Sequence, residues 1–376
     1  MLTALLFTSG GIALMMIVGY FLSAPKYSGP VSDHFNGKKF FNPSGIKAAG
    51  LAAVSKWMLN RQKGKWSQLK NISYGEKPLT KVEDGLRITF INHSTFLIQT
   101  NGLNILTDPI WSERASPFNW AGPKRRRPPG IRFNDLPPID VILLSHNHYD
   151  HLSVATMKKL YQRFQPKIFT SLGIKKFLDK KGIHGAVEMD WGDELNLNET
   201  LKLISVPAQH FSGRGMFDRD VTLWCGFVIR RNEARPDDPR LNPARMTRSD
   251  GDSPDSYRVG QTVGRGNIYF AADSGYNNSL FKEIGQKLAP ICVAILPIGA
   301  YKPAWFMSPI HTSPGEAVKI HLDVKATKTI ASHFGTFPLA DDGEKETYDD
   351  LGNALQQYNI SDNDFLILKE GEGKNF

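Results

Sequence analysis

Cysteine is nearly absent: Cys225 and Cys292 are the only two in 376 residues. Both sit in apolar runs, TLWCGFVI and PICVAIL, where a small buried hydrophobe is the expected role. A disulfide scaffold is excluded by count, and a cysteine-based zinc site is not expected. No internal repeat and no glycine period occur, which excludes a coiled coil or a collagen. Only one stretch, at the N-terminus, is long and apolar enough to cross a bilayer, which excludes a polytopic membrane protein. Acidic residues are the minority: 46 Lys and Arg against 37 Asp and Glu give a net charge of +9, which favours phosphates, nucleic acid or acidic membrane surfaces as partners. Hydrophobic residues at 41% and charged residues at 22% are ordinary for a globular chain.

The uncharged stretch Leu2 to Leu22 predicts a membrane anchor helix within residues 1–25. A cleaved signal peptide fits less well, because no basic residue precedes the stretch and Pro25 follows the one plausible cleavage site. Lys26, Lys38 and Lys39 follow it, which by the positive-inside rule favours a cytoplasmic bulk but leaves the side of the membrane open. Residues 26–84 read as an amphipathic basic region. Within it, Pro43 to Leu69 carries Ile46, Leu51, Val54 and Met58 near helical spacing, with basic residues and Trp57 and Trp66 nearby. That pattern suits an interfacial helix and equally a helix packed on the core.

From Gly85 the texture becomes strand-like and continues to residue 376. LRITFI and TFLIQT are followed by Asn101-Gly102 and LNILTD, a strong hairpin signal, and Asp140 to Leu144 reads as a buried strand. Strands alternating with helical stretches near Ala155 to Gln162 and at GIKKFLDKKG predict a layered α/β domain over residues 85–376. The polar, Pro- and Gly-rich segment 231–266 reads as a surface insertion.

The strand ending at Leu144 runs into Ser145-His146-Asn147-His148-Tyr149-Asp150-His151, three imidazoles and a carboxylate within six positions. Alternate residues at a strand end can point to one place, and Asp150 and His151, opening the next helix, to a second place beside it. Imidazole and carboxylate suit zinc or another divalent first-row metal. Two adjacent metals need about seven protein ligands, so further ligands are expected at other strand ends. His210 after LKLISVPAQ, Asp273 after NIYFAA and His333 after ATKTIAS fit that role, at about one supersecondary unit apart.

HNHYDH resembles the HxHxDH signature of the metallo-β-lactamase superfamily. TDPIWSERASPFNWAGPKRRRPPGI, VPAQHFSGRG, FAADSGY, LPIGAYKPAWFMSPIHTSPGEAVKIHLDV and ASHFGTFPLADD are more specifically similar to the N-acyl phosphatidylethanolamine-hydrolysing phospholipase D family. The resemblance covers most of the chain from Gly85 onward and implies an αββα sandwich holding two zinc ions between its sheets. It implies that His146, His148 and His210 hold one zinc, that Asp150, His151 and His333 hold the other, and that Asp273 bridges them. Asp108, in LTDP, would orient a ligand imidazole or simply form a turn before Pro109. Asp273 and His311, in PIHTSP, are the candidates for protonating the leaving group, with a purely structural His311 as the other reading. His93, in INHST, reads as structural.

Lys124, Arg125, Arg126 and Arg127 form a basic run before the metal-bearing strand. Beside a membrane segment and a basic net charge, the run is expected to contact lipid headgroups, each basic residue adding about 1 kcal/mol near an anionic surface. Nucleases also use this metal scaffold, and a basic run fits either polyanion, but the lipid reading is preferred and no nucleic acid is expected. The chain is therefore expected to be a membrane-associated, zinc-dependent phosphodiesterase that releases N-acylethanolamine and phosphatidic acid. The alternatives are a hydrolase of another ester, such as a soluble phosphodiester, an RNA or a lactone, and a non-catalytic binding protein. A homodimer is allowed by this reading but not required.

Overall fold

The antiparallel hairpins and the continuous apolar runs combine into two sheets of the same plan. The computed structural model describes residues 15–67, 73–231 and 266–376. In chain order the strands are β1 (Leu86–Asn92), β2 (Thr95–Thr100), β3 (Leu103–Thr107), β4 (Val141–Leu144), β5 (Lys167–Ser171), β6 (Val187–Met189) and β7 (Glu194–Asn196). They continue as β8 (Leu201–Val206), β9 (Gly226–Arg231), β10 (Asn267–Phe270), β11 (Ile291–Pro297), β12 (Ala326–Ser332), β13 (Phe365–Leu366) and β14 (Gly373–Asn375). One seven-stranded sheet has the order β14-β1-β2-β3-β4-β5-β6, the other β13-β12-β11-β10-β9-β8-β7. Each is mixed: β1 to β3 and β7 to β10 pair antiparallel, β3 to β6 and β10 to β13 parallel.

The Asn101-Gly102 pair turns between β2 and β3 with φ of 48° and 71°, the two positive values that a tight two-residue hairpin turn demands. All four residues of β4 are buried, as its continuous apolar run predicts. The helices are α1 (Leu51–Leu59), α2 (Val154–Phe164), α3 (Lys175–Lys180), α4 (Asn278–Lys287), α5 (Ala304–Met307), α6 (Pro314–Asp323) and α7 (Glu344–Tyr358).

Phe90, Phe96 and Ile98 of the first sheet share one core with Leu203, Phe227, Ile229 and Phe270 of the second. Helices α2 and α3 add Met157, Leu160, Phe177 and Leu178 to Ile142, Leu144 and Ile168 of the first sheet. Phe281 of α4, Val318 of α6 and Leu351 of α7 pack with the second. Burying each such side chain stabilises by about 1.5–3 kcal/mol, so four layers hold the two sheet edges in fixed relation. Both cysteines are buried and free.

Most of the expected anchor, and residues 232–265 of the expected insertion, lie outside the described residues. Residues 15–22 are helical. No helix among the described residues is long and apolar enough to cross a membrane. The helix expected within Pro43 to Leu69 is nine residues long, Leu51–Leu59. Pro43 and the left-handed Gly45, at φ 74°, keep the preceding residues out of a helix. Ala53, Val54 and Trp57 pack one face of α1 against Phe306 and Met307 of α5, while Leu51, Met58 and Leu59 face outward. Beyond α1, Arg61 pairs with Asp341 and Trp66 donates to the Asp342 carbonyl, so residues 61–66 lie along the loop before α7.

Candidate metal centre

Five strands end at one edge of the sandwich. Asp108 follows β3, the histidine run follows β4, and His210, Asp273 and His333 follow β8, β10 and β12. The chain turns sharply there. Asp108, Ala272 and His333 have φ of 32°, 53° and 58°, left-handed values that cost a non-glycine residue about 1 kcal/mol or more and gather at functional sites. The histidine run itself is the turn between β4 and α2, closed by Leu152 N–H donating to the His148 carbonyl and by Ser153 capping α2.

Two clusters result. His146 Nε2 lies 2.9 Å from His148 Nδ1, which lies 3.2 Å from His210 Nε2. Asp150 Oδ2 lies 3.4 Å from His151 Nε2 and 3.2 Å from His333 Nε2. Asp273 Oδ2 stands between them, 3.2 Å from both His151 and His333 and 3.7 and 4.0 Å from His210 and His146. All seven side chains expected as ligands are therefore brought together, with the shared position occupied by Asp273.

The arrangement fits a cation. In the first cluster three imidazole nitrogens converge, and a proton between any two of them leaves the third lone pair unserved. His151 Nε2 and Asp273 Oδ1 are buried without a hydrogen-bond partner. Ligand atoms of His146, His148 and His210, and those of Asp150, His151 and His333 with His93, each lie close enough together to hold one ion. Burial, then the charge of His151, pulls the pKa of His146 well below the ordinary value, and burial brings His148 to about 4. Burial opposes ionisation of Asp150 and Asp273, but the neighbouring His151 overrides it and both stay well below the usual carboxylate range. Neutral imidazoles and ionised carboxylates are the forms that bind metal, and His146, His148, Asp150 and Asp273 hold them. At His151 and His333 burial opposes the charge but Asp273 and Asp150 outweigh it, raising His151 well above the ordinary value and His333 to about 9, so a bound cation would replace a proton at each.

Partners behind the cluster fix these side chains. Asp108 is fully buried and accepts from His151 Nδ1 at 2.7 Å, Ser145 Oγ at 2.6 Å and Ser145 N at 2.8 Å. It thus both follows a strand into a turn and directs the His151 Nε2 lone pair inward. His210 Nδ1 donates to the Ile310 carbonyl at 2.7 Å, which leaves its Nε2 lone pair for the cluster. From the N-terminal segment, Asn42 donates to the His210 carbonyl at 3.0 Å.

His311 stands at the rim, its Nδ1 3.8 Å from Asp273 Oδ2 and without a hydrogen-bond partner. Burial brings its pKa to about 4, so it is neutral at pH 7. His93, read from sequence as structural, is also here, its Nε2 3.0 Å from Asp150 Oδ2. The only sequence sign of it was a histidine at a hairpin turn, where His is tolerated in the left-handed region that it adopts at φ 49°.

The basic run needs correction. It is not one lipid-facing patch. Arg125 is buried, donates to the Ser112 and Ile110 carbonyls and lies over the Phe337 ring. Arg127 forms ion pairs with Glu344 and Glu370, all three largely buried. Arg126 is half-buried, its N–H bonded to the Thr336 carbonyl, and Lys124 alone of the four is exposed. Desolvating two guanidinium groups is repaid only by fixed partners, which the β3–β4 loop, the first residue of α7 and the stretch between β13 and β14 supply here.

Residues 103–236 and 238–334 match the beta-lactamase superfamily domain, and the chain belongs to that superfamily of metal-dependent hydrolases. More narrowly, it belongs to the family of the N-acyl-phosphatidylethanolamine-hydrolyzing phospholipase D 1 of Caenorhabditis elegans. It is 33% identical to that protein over 305 residues, 77% of this chain and 76% of the relative. It is also 27% identical over 290 residues to a UPF0173 metal-dependent hydrolase of Methanopyrus kandleri, across 76% of this chain and 98% of the relative. The fold is shared with the metallo hydrolase Igni18 of Ignicoccus hospitalis, with a TM-score of 0.51 at 20% identity over 78% of this chain and 99% of that one.

Proposed function

We propose that the protein hydrolyses N-acyl phosphatidylethanolamine to N-acylethanolamine and phosphatidic acid, as a phosphodiesterase with two zinc ions. The observation that carries this reading is the pair of ligand clusters sharing Asp273, in a chain one third identical to a phospholipase D named for that lipid. His146, His148 and His210 would hold one ion and Asp150, His151 and His333 the other. Divalent ions so placed supply an acidified water and neutralise charge on phosphoryl oxygens.

The chain's own groups do the rest. Ionised Asp273, facing both clusters, would be shared by the two ions. Neutral His311, its Nδ1 facing Asp273 without a hydrogen-bond partner, would donate its N–H to the ethanolamine oxygen as the P–O bond breaks, the proton that oxygen keeps coming ultimately from the attacking water. Beside His210 opens a groove of about 660 Å³, walled by Phe41, Ile46, Leu51 and Phe211, with Lys47 and Arg219 among its cations. Apolar walls with basic groups suit a substrate that is apolar in its chains and anionic at its phosphate. Exposed Met15, Met16, Ile17, Tyr20 and Phe21, with Met216 and Phe217 near them in the fold, support presentation of the groove to a membrane surface.

The test is mass spectrometry of the products after incubating the purified full chain with vesicles of mixed phospholipids including N-acyl phosphatidylethanolamine. N-acylethanolamine and phosphatidic acid are expected in equal amounts. Hydrolysis of a soluble phosphodiester, an RNA or a lactone, with the N-acylated lipid left intact, would overturn the proposal in favour of that ester.

A further inference from the structure

We propose that His93 is a positioning residue of the second metal pocket, holding the Asp150 carboxylate in place by donating a hydrogen bond from Nε2 to Oδ2. The inference rests on the metal reading above. It concerns a residue outside the seven proposed ligands.

His93 is held from both sides by the loop that carries His333. Its N–H donates to Thr336 Oγ1 at 2.9 Å, and its carbonyl accepts from the His333 N–H at 2.9 Å. The backbone sits at φ 49°, a conformation with a standing cost of about 1 kcal/mol or more for a side chain of this size. Glycine would remove that cost. The ring then lies 4.1 Å from the His333 ring between centroids, edge-on to Phe337 at 5.4 Å, and 1% exposed. A packing role alone would be met by phenylalanine, whose neighbours here are already aromatic.

The nitrogens argue for more than packing. Nε2 is 3.0 Å from Asp150 Oδ2, while Nδ1 is buried with no partner. A carboxylate only accepts, so the Nε2–H tautomer is the one that satisfies the contact. Asp150 Oδ2 is also the oxygen that faces His151 and His333. Asp150 lies within a turn rather than at a strand end, and its side chain is 12% exposed where those of His151 and His333 are fully buried. It is the most exposed of the three, and the His93 donor restricts which oxygen it presents. Loss of such an outer partner lowers metal affinity by about 10–100-fold.

The experiment compares the full chain with His93→Phe and His93→Gln, each loaded with Zn²⁺, dialysed against graded chelator and assayed for bound metal, with the visible spectrum of Co²⁺-loaded samples as a second readout. His93→Phe keeps a ring without a donor and is expected to give up one ion at about 10–100-fold lower chelator concentration, with an altered cobalt spectrum. His93→Gln keeps a donor and is expected to recover most of the loss. Metal retention by His93→Phe equal to the wild type, or a loss by His93→Gln as large as that of His93→Phe, would overturn the proposal. Where circular dichroism shows His93→Phe unfolded, His93→Gln is read alone: retention supports the donor and loss overturns it. Lipid hydrolysis enters nowhere in this comparison, so a failed product assay sinks the proposed substrate and leaves this result standing.

Discussion

Two regions meet at His210, and they are built by opposite means. On one side, the ends of β3, β4, β8, β10 and β12 deliver side chains from strands that the whole core holds. On the other, residues 27–44 form no extended helix or strand and lie across the loop 207–210 by separate contacts. Tyr27, Phe35 and Phe40 pack with Ala208, Leu223 and Trp224, His34 sits between Asp33 and Asp190, and Asn42 reaches the His210 carbonyl. The strand ends place atoms through many shared contacts, whereas the N-terminal segment acts through a few, each removable alone. The metal edge should therefore fail abruptly and the segment by degrees.

The largest effect is expected from Asp273→Asn, which replaces the shared carboxylate with an amide while leaving the core untouched. Activity should fall by at least about 10²–10³-fold with an unchanged circular dichroism spectrum. Wild-type turnover and metal content in that variant would show that the two clusters are independent. Next, Asp108→Asn puts an amide where three donors converge, and chelator competition should show metal held about 10–100-fold more weakly.

Asn42→Ala crosses between the regions. It leaves the His210 carbonyl without its side-chain donor and should cost about 1–3 kcal/mol in denaturant unfolding, with earlier loss of metal to chelator. Unchanged metal retention would confine the segment to a covering role. The smallest effect is a pH dependence. Burial pulls His34 down, but its bonds to Asp190 and Asp33 outweigh that and hold its pKa above the ordinary value. Burial likewise opposes ionisation of Asp190, and His34 holds its pKa below the ordinary value. The His34 contribution is complete below the ordinary imidazole value and fades as pH rises through the raised one. The Asp190 contribution is complete above the ordinary carboxylate value and fades as pH falls through the lowered one. Protection of residues 27–44 from protease should thus be greatest between these limits. The gain is roughly 1 kcal/mol, because Asp33 and Asp190 are 87% and 35% exposed and screened by solvent. A flat profile, or His34→Gln with the same profile, would show that the His34 pairs do not hold residues 27–44 in place.

The same contrast explains what could be read from sequence. His146, His148, Asp150 and His151 announce themselves because a strand end and the following turn bring neighbouring residues to one edge, so local spacing carries the geometry. His210, Asp273 and His333 were legible because each follows an apolar run into a turn. His93 was not, because its role depends on the β1–β2 turn touching the His333 loop across 240 residues of chain, which no local pattern encodes. The run Lys124 to Arg127 misled for the converse reason: composition gives charge but not direction, and Glu344 and Glu370 are far away in sequence. The short α1 follows from Gly45 and Pro43 overriding a helical spacing of apolar residues.

The pairing of β1 with β14 also sets a clock on assembly. Arg87 faces Asn375, and between them lie all seven of the proposed ligands. Arg87 bonds Asn375 at a separation of 288 residues, which at 5–20 residues per second is roughly 15–60 s of synthesis. Throughout that interval β1 waits with one edge unpaired, a template for a neighbouring nascent chain. Glu370, the partner of Arg127, arrives in the same final stretch. The proposed ligands are thus all made before the edge strand that closes the first sheet, and the interval from β1 to β14 is when the growing chain is most exposed to wrong partners.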